Sequence, residues 1–330
     1  MQRIEATYRI VTPMFLGDAD QKATSIRPPS VKGALRFWWR ALNWSRALSE
    51  TGSNAAAALR WLHAEEARLF GLAAITDSDG NQQGGQGVFL LRVSQQPTRL
   101  SPPVRGWPQN NTGSGYLGFG LFATKEEPAR EGLPEGQDFS LELRFRPQTN
   151  DEDLASLREV LKVWGLLGGL GSRARRGFGS VALVTLDGVN QLSNATDYGS
   201  TIQMLLNKYE RVSDLPTYTA FSRFTRFGVL GQPNSKARDA HDAAGVLYKQ
   251  HRGQPSSLRG SVKIPFGLPL QSVDERNRRA SPLFFHVHSL ANGTSQAVVL
   301  FMPACFHPQY KAGNDIGFFT EVERFMEVCA

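Results

Sequence analysis

Apolar residues of this chain follow two different spacings, and each spacing predicts a different kind of element. Alternation of apolar and polar residues is clearest from Ile4 to Ile10 and from Phe139 to Phe145, where it predicts strands with one buried face. Alternation or a short apolar run predicts strands at 4–10, 88–93, 139–145, 181–186, 218–229, 283–288 and 297–301. Helical spacing predicts helices at 31–42, 55–70, 151–164 and 238–251.

The first predicted helix carries an apolar stripe beside a basic one. Two prolines and Ser30, a suitable N-cap, stand before it. Its basic residues, Lys32, Arg36 and Arg40, are spaced by four and share one face. Trp39 lies where the two stripes meet. The stripe is typical of a surface that follows phosphates, with Trp39 as a stacking platform, and equally of a solvated face with Trp39 half-buried.

The order of elements predicts the fold class. Strand, helix, strand, strand, helix, strand is the βαββαβ order of a ferredoxin-like, or RRM-like, unit. We therefore predict an α+β protein of two fused ferredoxin-like domains, residues 1–187 and 188–330, the second more diverged. Polar segments at 77–87 and 97–138 are predicted loops, and 187–200 a linker.

Composition indicates where the protein is located and what kinds of partner it has. The chain has no apolar run long enough to cross a membrane and no leader-like start, so we expect a cytoplasmic protein without membrane contact. Its two cysteines and scattered histidines show no metal-ligand spacing, so no metal is expected. The net charge is +7, and 28 of the 37 basic residues are arginine. This bias favours contact with phosphates, although a GC-rich genome would also produce it.

A glycine–arginine loop, residues 168–180, is the most distinctive segment. Five glycines and three arginines occur there without an acidic residue. Glycine lets a ligand approach the backbone, and arginine pairs with phosphate oxygens, so a polyanion such as RNA is predicted. An ordinary helix-to-strand turn with solvated arginines is the structural alternative. The predicted RNA-binding residues are Lys32, Arg36, Trp39, Arg40, Gly168, Gly169, Gly171, Ser172, Arg173, Arg175, Arg176, Gly177 and Gly179.

Other chemistry finds little support. Residues 169–174 match a dinucleotide fingerprint, but a predicted helix stands before them where that motif needs a strand, so no cofactor is expected. No nucleophile, acid–base or metalloprotease motif occurs, and we assign no catalytic residue.

Three segments together resemble the RAMP superfamily of CRISPR proteins. They are 12–17 (TPMFLG), 27–40 (RPPSVKGALRFWWR) and the glycine–arginine loop. The second resembles, in particular, the first subunit of the type III-B (Cmr) effector complex, and 266–270 and 279–283 resemble that subunit's second half.

The resemblance implies a non-catalytic RNA-binding subunit. It would lie near the 3′ end of the guide RNA, help to engage target RNA in antiviral defence, and contact guide RNA, target RNA and other Cmr subunits. A metal-independent endoribonuclease that cuts CRISPR precursors, as in other members of the superfamily, is the enzymatic alternative. A purely structural assembly subunit is the third.

Overall fold

The protein is a mixed α+β structure with antiparallel sheets. The structure, a computed structural model, describes residues 2–18, 22–76, 82–97, 104–125, 128–253 and 258–329. The elements in chain order are β1 (Arg3–Ile10), α1 (Pro28–Glu50), α2 (Ala55–Phe70), β2 (Gly71–Thr76), β3 (Gln82–Gln86), β4 (Phe89–Gln95), α3 (Gly113–Leu117), β5 (Asp138–Phe145), α4 (Asp151–Leu167), β6 (Val181–Leu186), β7 (Val189–Asn190), α5 (Ala195–Asn207), β8 (Arg226–Asn234), α6 (Ala237–Gly253), β9 (Leu268–Leu270), β10 (Asp274–Arg279), β11 (Leu283–Ser289), β12 (Ser295–Phe301) and α7 (Thr320–Val328), with short 3-10 helices at Gly260–Phe266, Lys311–Asn314 and Ile316–Phe319.

The first sheet has the strand order β4-β5-β1-β6-β7, with each neighbouring pair antiparallel. The even-numbered side chains of β1 are buried, as the alternation predicts, and β1 packs against helix α4, while α1 packs against α4 and β4. The Tyr8 ring lies 4.6 Å from that of Trp164, and the Tyr8 hydroxyl donates to the Leu161 carbonyl at 2.8 Å. This sheet and its helices hold the start and end of the glycine–arginine loop.

The second sheet has the order β11-β12-β8, again antiparallel, with α6 packed against it. Strands β11 and β12 are buried along almost their whole length. Helix α6 packs against both strands, and α4 and β6 of the N-terminal half also contact β11. The end of the chain closes the other edge, where the Val229 amide donates to the Cys329 carbonyl at 2.8 Å.

Two apolar clusters form the core, and both draw residues from either side of position 187. The first includes Tyr198 and Phe284 beside the first sheet, and the second includes Phe15 and Phe178 beside the second sheet. The division into domains 1–187 and 188–330 therefore stays a prediction about the chain's organisation, because the packing is shared across it.

Several local predictions are wrong. Helix α1 begins at Pro28 with Arg27 at the N-cap position, so Ser30 lies within the first turn and caps nothing. The predicted linker 187–200 contains the beginning of helix α5, which is capped by Asn194 and continues to Asn207. Strand β8 begins only at Arg226, and residues 82–86 of a predicted loop pair with β2. Residues 77–81 of that loop lie outside the described residues. Tertiary contacts override weak local signals in each case.

Candidate nucleic-acid interface

The glycine–arginine loop leaves α4 and returns as β6 through a chain of tight turns. Gly171, Gly177 and Gly179 all have positive φ, at 94°, 80° and 60°, a region that side chains rarely adopt. A Cβ on Gly171 would lie 2.7 Å from the Phe15 carbonyl oxygen, and one on Gly179 2.1 Å from that of Leu170. The glycines are therefore required by the protein's own backbone packing.

This packing corrects one prediction about the loop. We expected glycine backbone from 168 to 179 to approach a sugar–phosphate chain. Instead Gly168, Gly177 and Gly179 are buried, and Gly169 forms a bridge with Ser180. The continuous exposed segment runs from Gly171 to Arg176, and the Ser172 amide there donates to the Phe15 carbonyl at 2.8 Å.

The loop is fixed against the C-terminal half of the chain. The Phe285 amide of β11 donates to the Arg175 carbonyl at 2.9 Å. Nε2–H of His241 donates to the Arg176 carbonyl at 2.8 Å, so its Nδ1 accepts from the Ser114 hydroxyl, also at 2.8 Å. Burial lowers the pKa of His241 to about 4, so the imidazole is neutral. The C-terminal end of the exposed arginine segment is thereby held against the C-terminal half of the chain, and the Ser172 amide holds the other end to Phe15.

A groove of about 980 Å³ opens beside this segment, between the two halves of the chain. The loop forms one wall, and α6, β9 and the end of β10 form the other. None of the described residues that line it is acidic. Its five arginines are Arg173, Arg175, Arg176, Arg252 and Arg279. Four aromatic residues lie among them: Tyr116, Phe119, Tyr248 and Phe266. The groove is therefore both cationic and aromatic.

The five groove arginines are gathered in one place without a carboxylate counter-ion among the described residues. Eleven other arginines form ion pairs with carboxylates, whereas none of these five lies within 4.0 Å of a described acidic group. Aromatic rings and carbonyls hold them instead. The Arg175 guanidinium lies 4.5 Å from the Phe284 ring centroid, and Nη2 of Arg173 donates to the Phe119 carbonyl at 2.6 Å.

Burial and mutual repulsion both act on this unpaired charge. Burial, with Arg279 and Arg176 nearby, lowers the pKa of Arg175 to about 10. Burial, with Arg176 and Arg130 nearby, lowers the pKa of Arg173, and burial lowers that of Arg279. All remain charged at neutral pH. A bound anion would relieve the repulsion, which is the electrostatic signature of a polyanion site.

A smaller pocket of about 430 Å³ adjoins the groove and shares Arg175 and Arg279 with it. Arg40, His63 and Tyr218 also line this pocket, with Glu66 at its side. Positive charge thus continues from the groove towards helix α1.

The basic stripe on α1 is divided among different surroundings. The guanidiniums of Arg36 and Arg40 both donate to Glu66 of α2, a carboxylate with 6% exposure. The Lys32 ammonium lies 5.6 Å from the Phe89 ring centroid, and burial lowers its pKa. Of the three, only Arg40 lines one of the two pockets described above.

Trp39 cannot be the stacking platform that we expected. Its side chain is 2% exposed in the first apolar cluster, and its Nε1 donates to the Ser156 hydroxyl at 3.1 Å. Phe119 is the exposed aromatic at the groove, with 73% exposure. The glycine-rich stretch around it was the available signal, but spacing alone could not place it beside Arg173. Arg252 was also missed, since it lies one residue beyond the predicted helix 238–251 and outside any cluster of arginines.

Metal-binding clusters and membrane-spanning helices were both sought among the described residues. No group of three or more histidine, cysteine, aspartate or glutamate side chains is arranged there to hold a metal ion. No helix there has both the length and the apolar character needed to cross a bilayer.

The RAMP superfamily family model matches residues 7–182, more than half of the chain. The chain therefore belongs to the RAMP superfamily, and the resemblance found in the sequence is confirmed. Within it, the chain is 26% identical over 310 residues to a Pyrococcus furiosus protein named CRISPR system Cmr subunit Cmr1-1, an alignment that takes in 87% of this chain and 83% of that protein.

Two solved structures share the fold over the whole chain. The crystal structure of Cmr1 from Pyrococcus furiosus in its apo form has a TM-score of 0.62 at 23% identity and is matched over 99% of this chain and 97% of that one. A chain in a cryo-EM structure of the type III-B Cmr-beta complex bound to cognate target RNA has a TM-score of 0.54 at 12% identity, with 99% of each chain matched. Both halves thus follow a known architecture.

Proposed function

We propose that the protein is a non-catalytic RNA-binding subunit of a type III-B CRISPR (Cmr) effector complex and that the arginine groove is its RNA-binding site. The observation that carries this is the set of five groove arginines without a carboxylate partner. The named relative is a Cmr subunit, and a protein of similar fold belongs to a Cmr complex bound to target RNA.

The groove fits a single strand better than a duplex. Arg173 and Arg279 stand on opposite walls, where they can pair with successive phosphates of one strand. The exposed Phe119 ring offers a face for an unstacked base, which a base inside a duplex would not present. Guide RNA and target RNA, the two partners implied by the resemblance, both offer such strands.

Both halves of the chain contribute to this site. The loop comes from the N-terminal half, whereas Arg252 and Arg279 come from the C-terminal half. We propose that each half is a ferredoxin-like unit. The strand order β4-β5-β1-β6 and the order β11-β12-β8 support this, since they follow that topology with one strand fewer in the second sheet. Placement near the 3′ end of the guide RNA in the cytoplasm is part of the same proposal.

The salt dependence of RNA binding tests the groove. Fluorescence anisotropy with a labelled single-stranded RNA would compare the wild type with Arg173→Ala and Arg279→Ala. Arg92→Ala is the matched control, because Arg92 is exposed on β4 outside the groove. Each groove variant should weaken binding about tenfold and flatten the slope of log affinity against log salt by ~0.7.

Groove variants that bind like Arg92→Ala in both affinity and slope would refute the site. Incubating the purified chain with CRISPR repeat RNA, without metal, tests the absence of catalysis. We expect intact RNA, and site-specific cleavage would establish the endoribonuclease alternative instead.

A further inference from the structure

At one end of the arginine groove, the side chains of Arg176, Arg252 and Tyr116 surround the ring of Tyr248. The guanidinium carbon of Arg176 lies 5.3 Å from the Tyr248 ring centroid, and that of Arg252 lies 5.5 Å from it. The Tyr116 ring packs against the same ring, with centroids 5.9 Å apart. All four residues line the groove, and we call them the tyrosine–arginine cluster.

Several donors in this cluster are without partners. Nη1 of Arg176, Nε of Arg252 and the hydroxyl of Tyr248 are buried and have no hydrogen-bond partner among the described residues. Buried polar groups are normally paired, and three unpaired donors on one cluster therefore point to a ligand that accepts hydrogen bonds.

The cluster is also held in place before any ligand arrives. Arg176 lies over Phe285 as well as Tyr248, at 5.8 Å, and Arg252 lies over Phe266, at 5.4 Å. The Arg176 backbone is fixed by the His241 hydrogen bond. Arginines restrained by rings lose little freedom on binding, which favours a compact anion over a loose counter-ion atmosphere.

We propose that the tyrosine–arginine cluster is a discrete phosphate-binding site that anchors one phosphate group of the bound strand. The proposal rests on the proposed function, because it takes the phosphate to be part of RNA. Two guanidiniums and the tyrosine hydroxyls offer donors on several sides, which suits the tetrahedral arrangement of phosphate oxygens. The remaining arginines of the groove then follow the strand away from this fixed point.

Inorganic phosphate tests the site without RNA. Thermal unfolding of the full chain would be followed as sodium phosphate replaces sodium chloride at constant ionic strength. Phosphate should raise the unfolding midpoint and give a saturable apparent Kd. Tyr248→Phe, which keeps the ring and removes only the hydroxyl, should weaken that Kd about fivefold, and Arg252→Gln at least tenfold. Arg92→Gln is the control and should leave it unchanged.

Three RNAs of one sequence then identify the source of the phosphate: one with a 5′-phosphate, one with a 3′-phosphate and one with hydroxyls at both ends. Tighter binding of one phosphorylated RNA, lost in Arg252→Gln, assigns a terminal phosphate. Equal binding of all three, weakened in Arg252→Gln and competed by inorganic phosphate, assigns an internal phosphodiester. Either result supports the site.

The proposal falls if phosphate has no more effect than chloride, or if its effect is the same in Tyr248→Phe and Arg252→Gln as in the wild type. If RNA binding still depends on Arg173 and Arg279 in that case, only this inference is lost. If phosphate binds at the cluster but RNA does not bind to the chain, the proposed function is lost and the phosphate site stands.

Discussion

Three buried histidines should make the stability of this protein strongly dependent on pH. Burial lowers the pKa of His241 to about 4 and that of His288 to about 3. Burial and the neighbouring His288 lower the pKa of His286 well below its ordinary value. All three imidazoles stay neutral in the folded chain at pH 5, whereas in the unfolded chain each takes up a proton near pH 6.5.

The surroundings explain why protonation is resisted. The His288 ring is stacked on Tyr198 at 4.0 Å between centroids, and the His286 ring lies 5.8 Å from His288. Nδ1–H of His286 donates to the Gly168 carbonyl at 2.9 Å, which leaves Nε2 as a neutral acceptor. Asp242, beside His241, raises the pKa of that residue but does not overcome burial.

The sign and size follow from proton linkage. Between pH 6.5 and 5 the unfolded chain binds more protons than the folded chain, so stability falls as pH falls. For a histidine that stays neutral when folded, the slope rises towards about 1.4 kcal/mol per pH unit below pH 6.5, and the loss between pH 7.5 and 5 is about 2 kcal/mol. For His241 and His288 together the loss is about 4 kcal/mol, and His286 adds to it in the same direction; this is close to the whole stability of a marginally stable domain, ~5–15 kcal/mol.

Urea denaturation at pH 7.5, 6.5, 5.5 and 5.0 would measure this change. His288→Phe keeps a ring against Tyr198 and should remove about 2 kcal/mol of the loss between pH 7.5 and 5. His63→Asn is the control, because His63 is exposed, and it should leave the dependence unchanged. A free energy of unfolding that stays level from pH 7.5 to 5.0, or a His288→Phe profile identical to that of the wild type, would refute the reasoning.

Two further predictions concern Phe119 at the groove and the ion pairs of helix α1. Phe119→Ala should weaken single-stranded RNA binding about tenfold. The slope of log affinity against log salt should not change, because stacking releases no counter-ions. Unchanged affinity in the anisotropy assay would remove Phe119 from the site. Glu66→Gln should lower the free energy of unfolding in urea by about 2 kcal/mol, since Arg36 and Arg40 lose their shared carboxylate, and RNA affinity should not fall. Those guanidiniums are about a third exposed, which keeps the loss below that of a fully buried pair, and an unchanged unfolding free energy would show that the pairing contributes nothing.

Elements with strong periodicity were predictable, and those held by distant contacts were not. Helix α2 begins and ends where its pattern predicts, and α4 has the predicted apolar stripe. The extent of α1 beyond Leu42 and the presence of α5 were not visible, since both depend on covering sheets formed elsewhere in the chain.

The candidate site divides in the same way. The arginines of the glycine–arginine loop were visible because a cluster of like charges between glycines is unusual in sequence. Arg252, Phe119 and Tyr248 were not, because each stands alone in its own segment and joins the groove only through packing of α3 and α6 against the loop. Trp39 shows the converse, since periodicity placed it at a boundary and packing buried it.

By itself, the sequence determined the family, most of the elements, the positive charge and the segment where that charge is densest, because composition and periodicity are local properties. Only the tertiary structure decided which arginines have carboxylate partners and which do not. It also showed that the loop glycines, predicted to contact RNA, are required by the packing of the protein's own backbone. The physical reason is that ion pairing and burial depend on which side chains are neighbours in the folded protein, and those neighbours come from segments far apart in the chain.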